Sequence, residues 1–343
     1  MAVNLTAADD DDGRRLDRVL RKALRHLPLS AIHRLLRRGL VCVNGEPSSG
    51  ERRVRAGETI AVAEVEGEQT REQTNEKTEE KKRSENLDIL YEGEGLLVLK
   101  KPEGVPVHAG GKQPAHSPRQ SKKSALHLAG RVHLAGQVAS YLAPKLPPSL
   151  SFKPGPLHRL DSSTSGVIVF SSNLKGAQLF SAMLQKREVR KLYLALLEGE
   201  VKDEETWLDE ILRDYDQKKS HVMSKSKNES EKNHEGKIAI TKVKVIAKNS
   251  FCSLVLAEIE TGRSHQIRAQ AASRGHPLLG DKKYGAKPLS GNGSFFLHAW
   301  RLYFPPNSPL PEMIQAPIPS RFRAKIINLF GQSALDLLKI NNF

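Results

Sequence analysis

One stretch of the chain, residues 155–166, combines residue types that could do chemistry. A Gly-Pro pair leads to His158, Arg159 and Asp161, and a run of small hydroxyl residues then ends at Gly166. An arginine close to a carboxylate favours the ionised form, because the opposite charge stabilises it. An ionised, positioned aspartate can serve as a nucleophile, a base or a metal ligand. The spacing alone also permits an ordinary turn in which Asp161 caps its own loop.

A buried strand must deliver this loop, because a β-branched and aromatic run follows directly at residues 167–170. The same reasoning predicts the elements around it. Helices are expected over 137–142, 175–185 and 322–338, strands over 192–199, 238–247 and 253–259, and a closing strand pair over 295–299 and 302–304. Another helix is expected to begin at Ser264, and two polar stretches, 109–135 and 214–236, are expected to be insertions, the second of them a surface loop.

The composition of the chain limits the kinds of partner that it can bind. The chain has 343 residues and a net charge of +15, which favours a polyanionic partner such as nucleic acid. Its two cysteines supply neither a disulfide framework nor a thiolate metal cluster, and they suit the reducing cytoplasm. No run approaches the roughly 20 apolar residues that cross a bilayer, so no membrane partner is expected.

Four regions are predicted from changes in composition. Residues 1–13 form an acidic tail, 14–63 a small basic domain, 64–86 a charged flexible linker, and 87–343 the main domain. Residues 14–64 hold twelve Lys or Arg and five Asp or Glu. Two short helices and hairpin strands are expected there, and the second helix carries Arg34, Arg37 and Arg38 on its polar face. Such a face suits contacts with phosphates.

The loop sequence His158-Arg-Leu-Asp161-x-x-Thr-Ser-Gly166 resembles the signature of the RluA family of RNA pseudouridine synthases. Two further motifs, Lys-x-Tyr193-x-Ala and Thr-Gly-Arg263-Ser-His-Gln-Ile-Arg268, resemble the family as well, as does Lys-Pro-x-Gly-x-x-Val-His at 101–108. The words Arg15-Leu-Asp, Arg37-Arg-Gly-Leu-Val and Val43-Asn-Gly resemble the S-four-type RNA-binding domain.

The resemblance implies roles for these residues. Asp161 is the expected nucleophile. Tyr193 stacks on the target base and could also handle its proton, and Arg263 pairs with Asp161, with Arg268 as the fallback. Arg159 is expected to fill the gap left by the flipped-out nucleotide. RNA contact is assigned to Arg159, Arg34, Arg37, Arg38, Arg268 and His158.

The implied fold is α+β, with a mixed, largely antiparallel sheet, flanking helices and a central cleft, plus a small N-terminal α/β RNA-binding domain. The implied activity isomerises uridine in 23S ribosomal RNA of the large subunit, without a nucleotide or other cofactor, by a cytoplasmic monomer. Flipping of the target base into a pocket is part of that expectation. Which uridines are modified and whether tRNA is also a substrate stay open. It also stays open whether Asp161 attacks the base, attacks the sugar or removes a sugar proton.

Two alternatives remain. The chain could be a catalytically degenerate RNA-binding protein of the same fold, although the motifs keep their Asp, Tyr and Arg. It could also be a metal-dependent hydrolase using Asp161, His158 and His265. No metal site is expected, because the histidines of residues 108–133 lack carboxylate or cysteine companions at a suitable spacing.

Overall fold

A computed structural model describes residues 3–63, 87–108, 133–146, 148–223, 236–289 and 294–340. The predicted linker 64–86 lies outside the described residues, as do positions 109–132 of the first predicted insertion and 224–235 of the second. The chain divides into two compact units. The first comprises Met1–Asn86, Gln137–Gly155 and Ser171–Leu179, and the second comprises Leu87–Gly136, Pro156–Phe170 and Phe180–Phe343.

The first unit holds a small sheet packed against two helices. Its main elements are β1 (Val3–Thr6), α1 (Leu16–Ala23), α2 (Leu29–Arg37), β2 (Val41–Val43), β3 (Glu46–Pro47) and β4 (Thr59–Val62). Within the described residues the strands form a four-stranded sheet in the order β1-β4-β2-β3. Helical spacing buries Leu16, Val19 and Leu20 of α1 against Ile32 and Leu35 of α2. Burying these side chains stabilises the small fold.

The polar face of α2 is as predicted. Arg34, Arg37 and Arg38 are all exposed at its C-terminal end, where positive charge also complements the helix dipole.

The predicted acidic tail is instead part of the fold. Residues Val3–Thr6 pair antiparallel with Thr59–Val62, and a 3-10 turn follows at Asp9–Asp11. Asp11 is fully buried. Its carboxylate accepts hydrogen bonds from the backbone N–H groups of Ala8, Leu150 and Ser151 and from the hydroxyls of Ser149 and Ser151. The tail prediction was wrong because these donors supply the partners that an acidic run lacks by itself.

The second unit is built on one large sheet. Its strands are β5 (Ile89–Gly93), β6 (Leu96–Lys101), β7 (Gly155–Pro156), β8 (Ser165–Ser171), β9 (Arg190–Glu198), β10 (Glu204–Asp214), β11 (Lys219–Val222), β12 (Lys237–Lys248), β13 (Cys252–Ile259), β14 (Leu297–Tyr303) and β15 (Met313–Gln315). In the described part of the chain the order is β11-β10-β12-β13-β9-β14-β8-β6-β5, with β15 beside β14 and β7 beside β8. The pairing of β14 with β8 is parallel, whereas β9 to β13 pair antiparallel. The expected mixed, largely antiparallel sheet is therefore confirmed.

The other helices of the described chain are α3 (Leu134–Leu142), α4 (Leu174–Gln185), α5 (Gln266–Ser273), α6 (Ser320–Phe330) and α7 (Ser333–Ile340). Of these, α6 and α7 pack against β9 and β13 of the large sheet. Among the described residues, none of the helices is long and apolar enough to span a membrane.

Four predicted elements need correction. The expected helix over 322–338 is two helices, because Gly331 adopts a φ of 79° between them. The closing strand pair over 295–304 is the single strand β14, which pairs antiparallel with both β15 and β9. The polar segment from residue 214 begins with β11, which pairs with the C-terminal end of β10. The helix expected from Ser264 begins at Gln266.

The parallel contact between β8 and β14 requires a glycine. Gly166 has a φ of 115°, and a Cβ atom there would lie 2.0 Å from the carbonyl oxygen of Ala299. The close approach lets β8, which is buried along its whole length, dock beside β14 directly after the Asp161 loop. The strand thereby fixes where that loop emerges from the sheet.

Candidate active site

A cleft in the second unit opens where the Asp161 loop, β9 and the N-terminal end of α5 meet. It encloses about 470 Å³ of space, including open solvent. Its lining includes Arg159, Asp161, Tyr193, Arg263, His265 and Arg268. The structure therefore brings the motifs of Asp161, Tyr193 and Arg263–Arg268 to one cavity.

Asp161 is held by an arginine from α5. Arg268 Nη1 donates to Asp161 Oδ2 at 2.8 Å, and the side chains are only 7% and 17% exposed. The same guanidinium makes a bidentate contact with Asp281, from Nε to Oδ2 at 2.6 Å and from Nη2 to Oδ1 at 2.9 Å. Burial disfavours the charge on Arg268, but the hydrogen bonds and charges of Asp281 and Asp161 outweigh it and raise its pKa. The guanidinium is thus a permanent cation at this site.

The prediction that Arg263 pairs with Asp161 was wrong. Arg263 precedes the helix, its side chain is exposed, and its Nε donates to the Ile238 carbonyl at 2.9 Å. Arg268 lies in the first turn of α5, which is buried from Gln266 to Ala271, and it lines the cleft. The assignment of Arg268 to RNA contact also changes, because a residue that is 6% exposed and paired with two carboxylates is not a phosphate ligand at the surface.

Tyr193 lines the cleft from β9 and is 7% exposed. It lies on the central part of the sheet, opposite Ala257 of β13 and Ala299 of β14. Burial and the charge of Asp161 raise the pKa of Tyr193, so its hydroxyl is protonated at neutral pH.

His265 is a further polar group of the cleft. Its Nε2 lies 3.8 Å from Asp161 Oδ2, and its Nδ1 lies 2.9 Å from the hydroxyl of Tyr284. Burial lowers the pKa of His265 to about 4, with a further contribution from the charge of Arg268, so the ring is neutral at pH 7.

Lys101 joins two loops behind Asp161. Its buried ammonium donates to the carbonyl oxygens of Pro102 at 2.8 Å, Val105 at 2.6 Å and Ser162 at 2.7 Å. Ser162 also exchanges two hydrogen bonds with Gly104, each 2.9 Å long. Burial lowers the pKa of Lys101 to about 8. These bonds fix the loop that carries Asp161 against the 102–105 segment.

His158 and Arg159 take different directions from the loop. His158 Nε2 accepts a hydrogen bond from the Val169 N–H at 3.0 Å, and burial lowers the pKa of the ring to about 4. A ring that is engaged with the strand backbone supports the loop, so the assignment of His158 to RNA contact is not supported. Arg159 is exposed at the rim of the cleft, as RNA contact requires. Within the described residues no group of His, Cys, Asp and Glu side chains is arranged to hold a metal ion.

Comparison with known proteins places this site in a family. Residues 95–273, about half of the chain, match the family model described as RNA pseudouridylate synthase. The chain belongs to the RNA pseudouridylate synthase family. The predicted family and reaction class are therefore confirmed, and the protein is an isomerase that acts on RNA.

Relatives and solved structures agree with this assignment. The chain is 31% identical to the ribosomal large subunit pseudouridine synthase C of Vibrio vulnificus, with 92% of this chain and 93% of the relative covered. Identity to the enzyme of the same name from Escherichia coli is 29%, over 90% and 91%. The fold resembles human RNA pseudouridylate synthase domain containing 1, with a TM-score of 0.52, 24% identity, and 75% and 95% of the two chains covered. Domain containing 4 gives the same TM-score at 22% identity, over 70% and 92%.

Three residues of this pseudouridine synthase site received no role from the sequence. Asp281 orients Arg268, Tyr284 orients His265, and Lys101 fixes the loops. Asp281 and Tyr284 stand in a short Gly-Asp-x-x-Tyr-Gly run, a composition that is typical of turns. No periodicity pointed to their partners, because the contacts span 13 and 19 residues of the chain.

Proposed function

We propose that this protein isomerises uridine to pseudouridine in 23S ribosomal RNA of the large subunit. The names of its relatives support this target, and the alignments cover more than 90% of the length of each relative. The basic charge of the chain supports a large RNA substrate. Cytoplasmic location, a monomeric state and independence of cofactors belong to the same proposal.

Asp161 is the proposed nucleophile. The observation that carries this assignment is its position in the cleft, held 2.8 Å from the buried cation of Arg268. The chemistry breaks the bond between N1 and C1′ and joins C1′ to C5 of the same ring. One carboxylate suffices, since the detached uracil stays bound and no water has to be activated. Arg268 keeps that carboxylate oriented by a charge-assisted hydrogen bond.

Tyr193 is proposed to stack on the flipped uracil. Its ring forms part of a buried wall, and such an aromatic face supports a base without selecting its sequence context. Arg159, exposed at the rim, is proposed to occupy the space that the flipped nucleotide leaves in the RNA. Arg34, Arg37 and Arg38 are proposed to contact phosphates from an S-four-type domain within the first unit.

The test is to map pseudouridines in the ribosomal RNA of the source cells with and without the gene. Loss of defined 23S pseudouridines on deletion is expected, with recovery from a plasmid carrying the wild-type gene and none from one carrying Asp161→Asn. If the ribosomal pattern is unchanged while pseudouridines in tRNA disappear, the target is wrong and the reaction is retained.

The same experiment addresses a degenerate RNA-binding protein. Suppose that the gene carrying Asp161→Asn restores another defect of the deletion strain but restores no pseudouridine. This result would favour the RNA-binding alternative. The intact pair of Asp161 and Arg268 argues against it, since a protein without catalysis gains nothing from a carboxylate poised in an open cleft.

A further inference from the structure

The roles proposed so far leave one reactive group of the cleft unused, the imidazole of His265. His265 immediately precedes α5 and has φ 55° and ψ 24°. This left-handed conformation is strained for a residue with a side chain, and strained residues concentrate at functional sites. The conformation turns the ring toward Asp161, with 3.8 Å between Nε2 and Oδ2.

Hydrogen bonding at Tyr284 determines which nitrogen of His265 carries the proton. The Tyr284 hydroxyl donates to the Ser220 carbonyl at 3.0 Å and accepts from the Ser220 N–H at 3.0 Å. Since the hydroxyl has only one proton, its third partner, His265 Nδ1 at 2.9 Å, must be a donor. Nε2 of the neutral ring is then unprotonated, and its lone pair lies on the side of Asp161.

The reaction requires a proton acceptor at its last step. After C1′ has bonded to C5, that carbon still holds its hydrogen, which must leave for the uracil ring to recover its conjugation. The raised pKa of Tyr193 keeps its phenol protonated, and a neutral phenol is a very weak base. The lowered pKa of His265 keeps its ring in the free-base form at neutral pH. Between these two neighbours, only the imidazole offers a basic lone pair.

We propose that Nε2 of His265 accepts the proton that leaves C5, an inference that rests on the proposed function. The electron pair of the C5–H bond re-forms the ring double bond, and the proton makes His265 an imidazolium. N1, which left C1′ with the bonding pair, takes up one proton from solvent, and the imidazolium returns one to solvent through the open cleft. The step is an overall proton transfer without oxidation or reduction. The charge of Asp161 favours the imidazolium, but burial outweighs it and lowers the pKa of His265, so the imidazolium gives up its proton readily.

The test compares full-length wild type with His265→Asn in single-turnover reactions. Asparagine tolerates the left-handed conformation and retains a hydrogen-bond donor, but it lacks a basic nitrogen. Two RNA substrates are used, one with ordinary uridine and one with deuterium at C5. His265→Asn is expected to be about 100-fold slower and to show a primary isotope effect that wild type lacks, because deprotonation has become rate-limiting. Added imidazole is expected to restore part of the rate to His265→Ala.

The matched control is His276→Asn, because His276 contacts the Glu198 carbonyl outside the cleft. Its rate and isotope effect should equal those of wild type. A slow His265→Asn without an isotope effect, and no rescue by imidazole, would overturn the inference in favour of a structural role. An isotope effect in Tyr193→Phe alone would make Tyr193 the base. A wild-type protein that forms no pseudouridine in ribosomal RNA overturns the proposed target instead, and the isotope comparison is then decided on the RNA that the protein does modify.

Discussion

At the scale of single residues, the site depends on one cation between two carboxylates. Arg268 contacts Asp161 through Nη1 and Asp281 through Nε and Nη2, so each of its three guanidinium nitrogens donates a hydrogen bond to a carboxylate. Its ring neighbours, Phe295 and Tyr284, lie 4.3 and 4.9 Å from the guanidinium carbon and shield it from water. The position of Asp161 therefore depends on residues that never touch the substrate.

Replacing Asp161 tests its role directly. We expect Asp161→Asn to lower turnover at least about 1,000-fold, because the amide is no nucleophile, while affinity for RNA is retained. Turnover is measured by release of the C5 hydrogen, and affinity by filter binding. Asp216→Asn, on the exposed hairpin between β10 and β11, is the charge-matched control. Turnover of Asp161→Asn within about tenfold of wild type would refute the nucleophile assignment.

Two arginines of one motif are expected to behave differently. Arg268→Ala should reduce turnover about 100-fold or more and destabilise the fold by about 3–5 kcal/mol, because it leaves buried Asp281 without its partner. Arg268→Lys should retain more stability, since it keeps the charge and loses the bidentate geometry. Arg263→Ala, whose side chain is exposed, should change turnover and stability little. Turnover and urea unfolding are measured for all three variants. A larger loss in Arg263→Ala than in Arg268→Ala would contradict the geometry.

At the scale of elements, the site lies where a loop leaves β8 and where α5 begins. The strand needs Gly166, since any larger residue would meet the Ala299 backbone. The α5 segment turns at His265 and then buries Gln266, Ile267 and Arg268. Both elements owe their direction to backbone conformations with positive φ.

Gly166→Ala is expected to destabilise the protein by about 3 kcal/mol or more, because the added methyl group lies within 2.0 Å of backbone oxygen and the φ of 115° is strained for alanine. Thermal unfolding of the full chain measures the effect. Gly262→Ala serves as control, since a Cβ there would meet nothing within 4 Å. Equal melting temperatures for the two variants would show that β8 and β14 separate easily.

Local sequence determined many of these elements in advance. The buried run of β8, the amphipathic α1 and α2, and the alternating β12 were predictable because their patterns follow the helical or strand period. The motifs likewise located Asp161 and Tyr193. The choice between Arg263 and Arg268 was not predictable, because it depends on where α5 begins, and helix starts are set by capping and tertiary contacts. β10 was missed since its polar alternation resembles a surface loop.

At the scale of the whole molecule, some acidic residues of this basic chain make structural contacts with distant segments. The N-terminal aspartates illustrate this within the first unit. Asp10 accepts a hydrogen bond from the Leu174 N–H at 2.7 Å, at the start of α4, and Asp11 binds the 149–151 segment. The residues that a composition profile assigns to a tail therefore tie distant parts of the chain together.

Asp11 should make the free energy of unfolding depend on pH in the acidic range. Burial raises its pKa, but the hydrogen bonds from Ser151, Ala8, Leu150 and Ser149 outweigh this, so the pKa is lowered. The stabilisation is fully present above about pH 4, the unfolded value, and is lost as pH falls through the lower folded value. We expect Asp11→Asn to cost about 3 kcal/mol at pH 7 and less at pH 3, by urea unfolding. Asp9→Asn, exposed nearby, should match wild type at both pH values. A pH-independent difference would contradict the hydrogen-bond account.

The arginine face of α2 should determine part of the salt dependence. Arg37→Gln with Arg38→Gln is expected to weaken binding to ribosomal RNA and to reduce the slope of log affinity against log salt by roughly 0.7–0.9 per lost phosphate contact. Arg21→Gln with Lys22→Gln, exposed on α1, removes the same charge from another helix. Equal slopes for both pairs would mean that α2 has no special place in RNA binding.

The shared guanidinium also shapes which molecules the cleft admits. Arg268 is paired with both Asp161 and Asp281 at the floor of the cleft, so its charge is already balanced and is not available to a phosphate. The exposed cations Arg159 and Arg263 stand at the rim, where phosphate is attracted. This distribution of charge orients a bound nucleotide, with its uncharged base in the cleft and its phosphates at the rim. A mononucleotide lacks the flanking phosphates that hold this orientation. The distribution of charge in the cleft therefore favours a polymer over a mononucleotide.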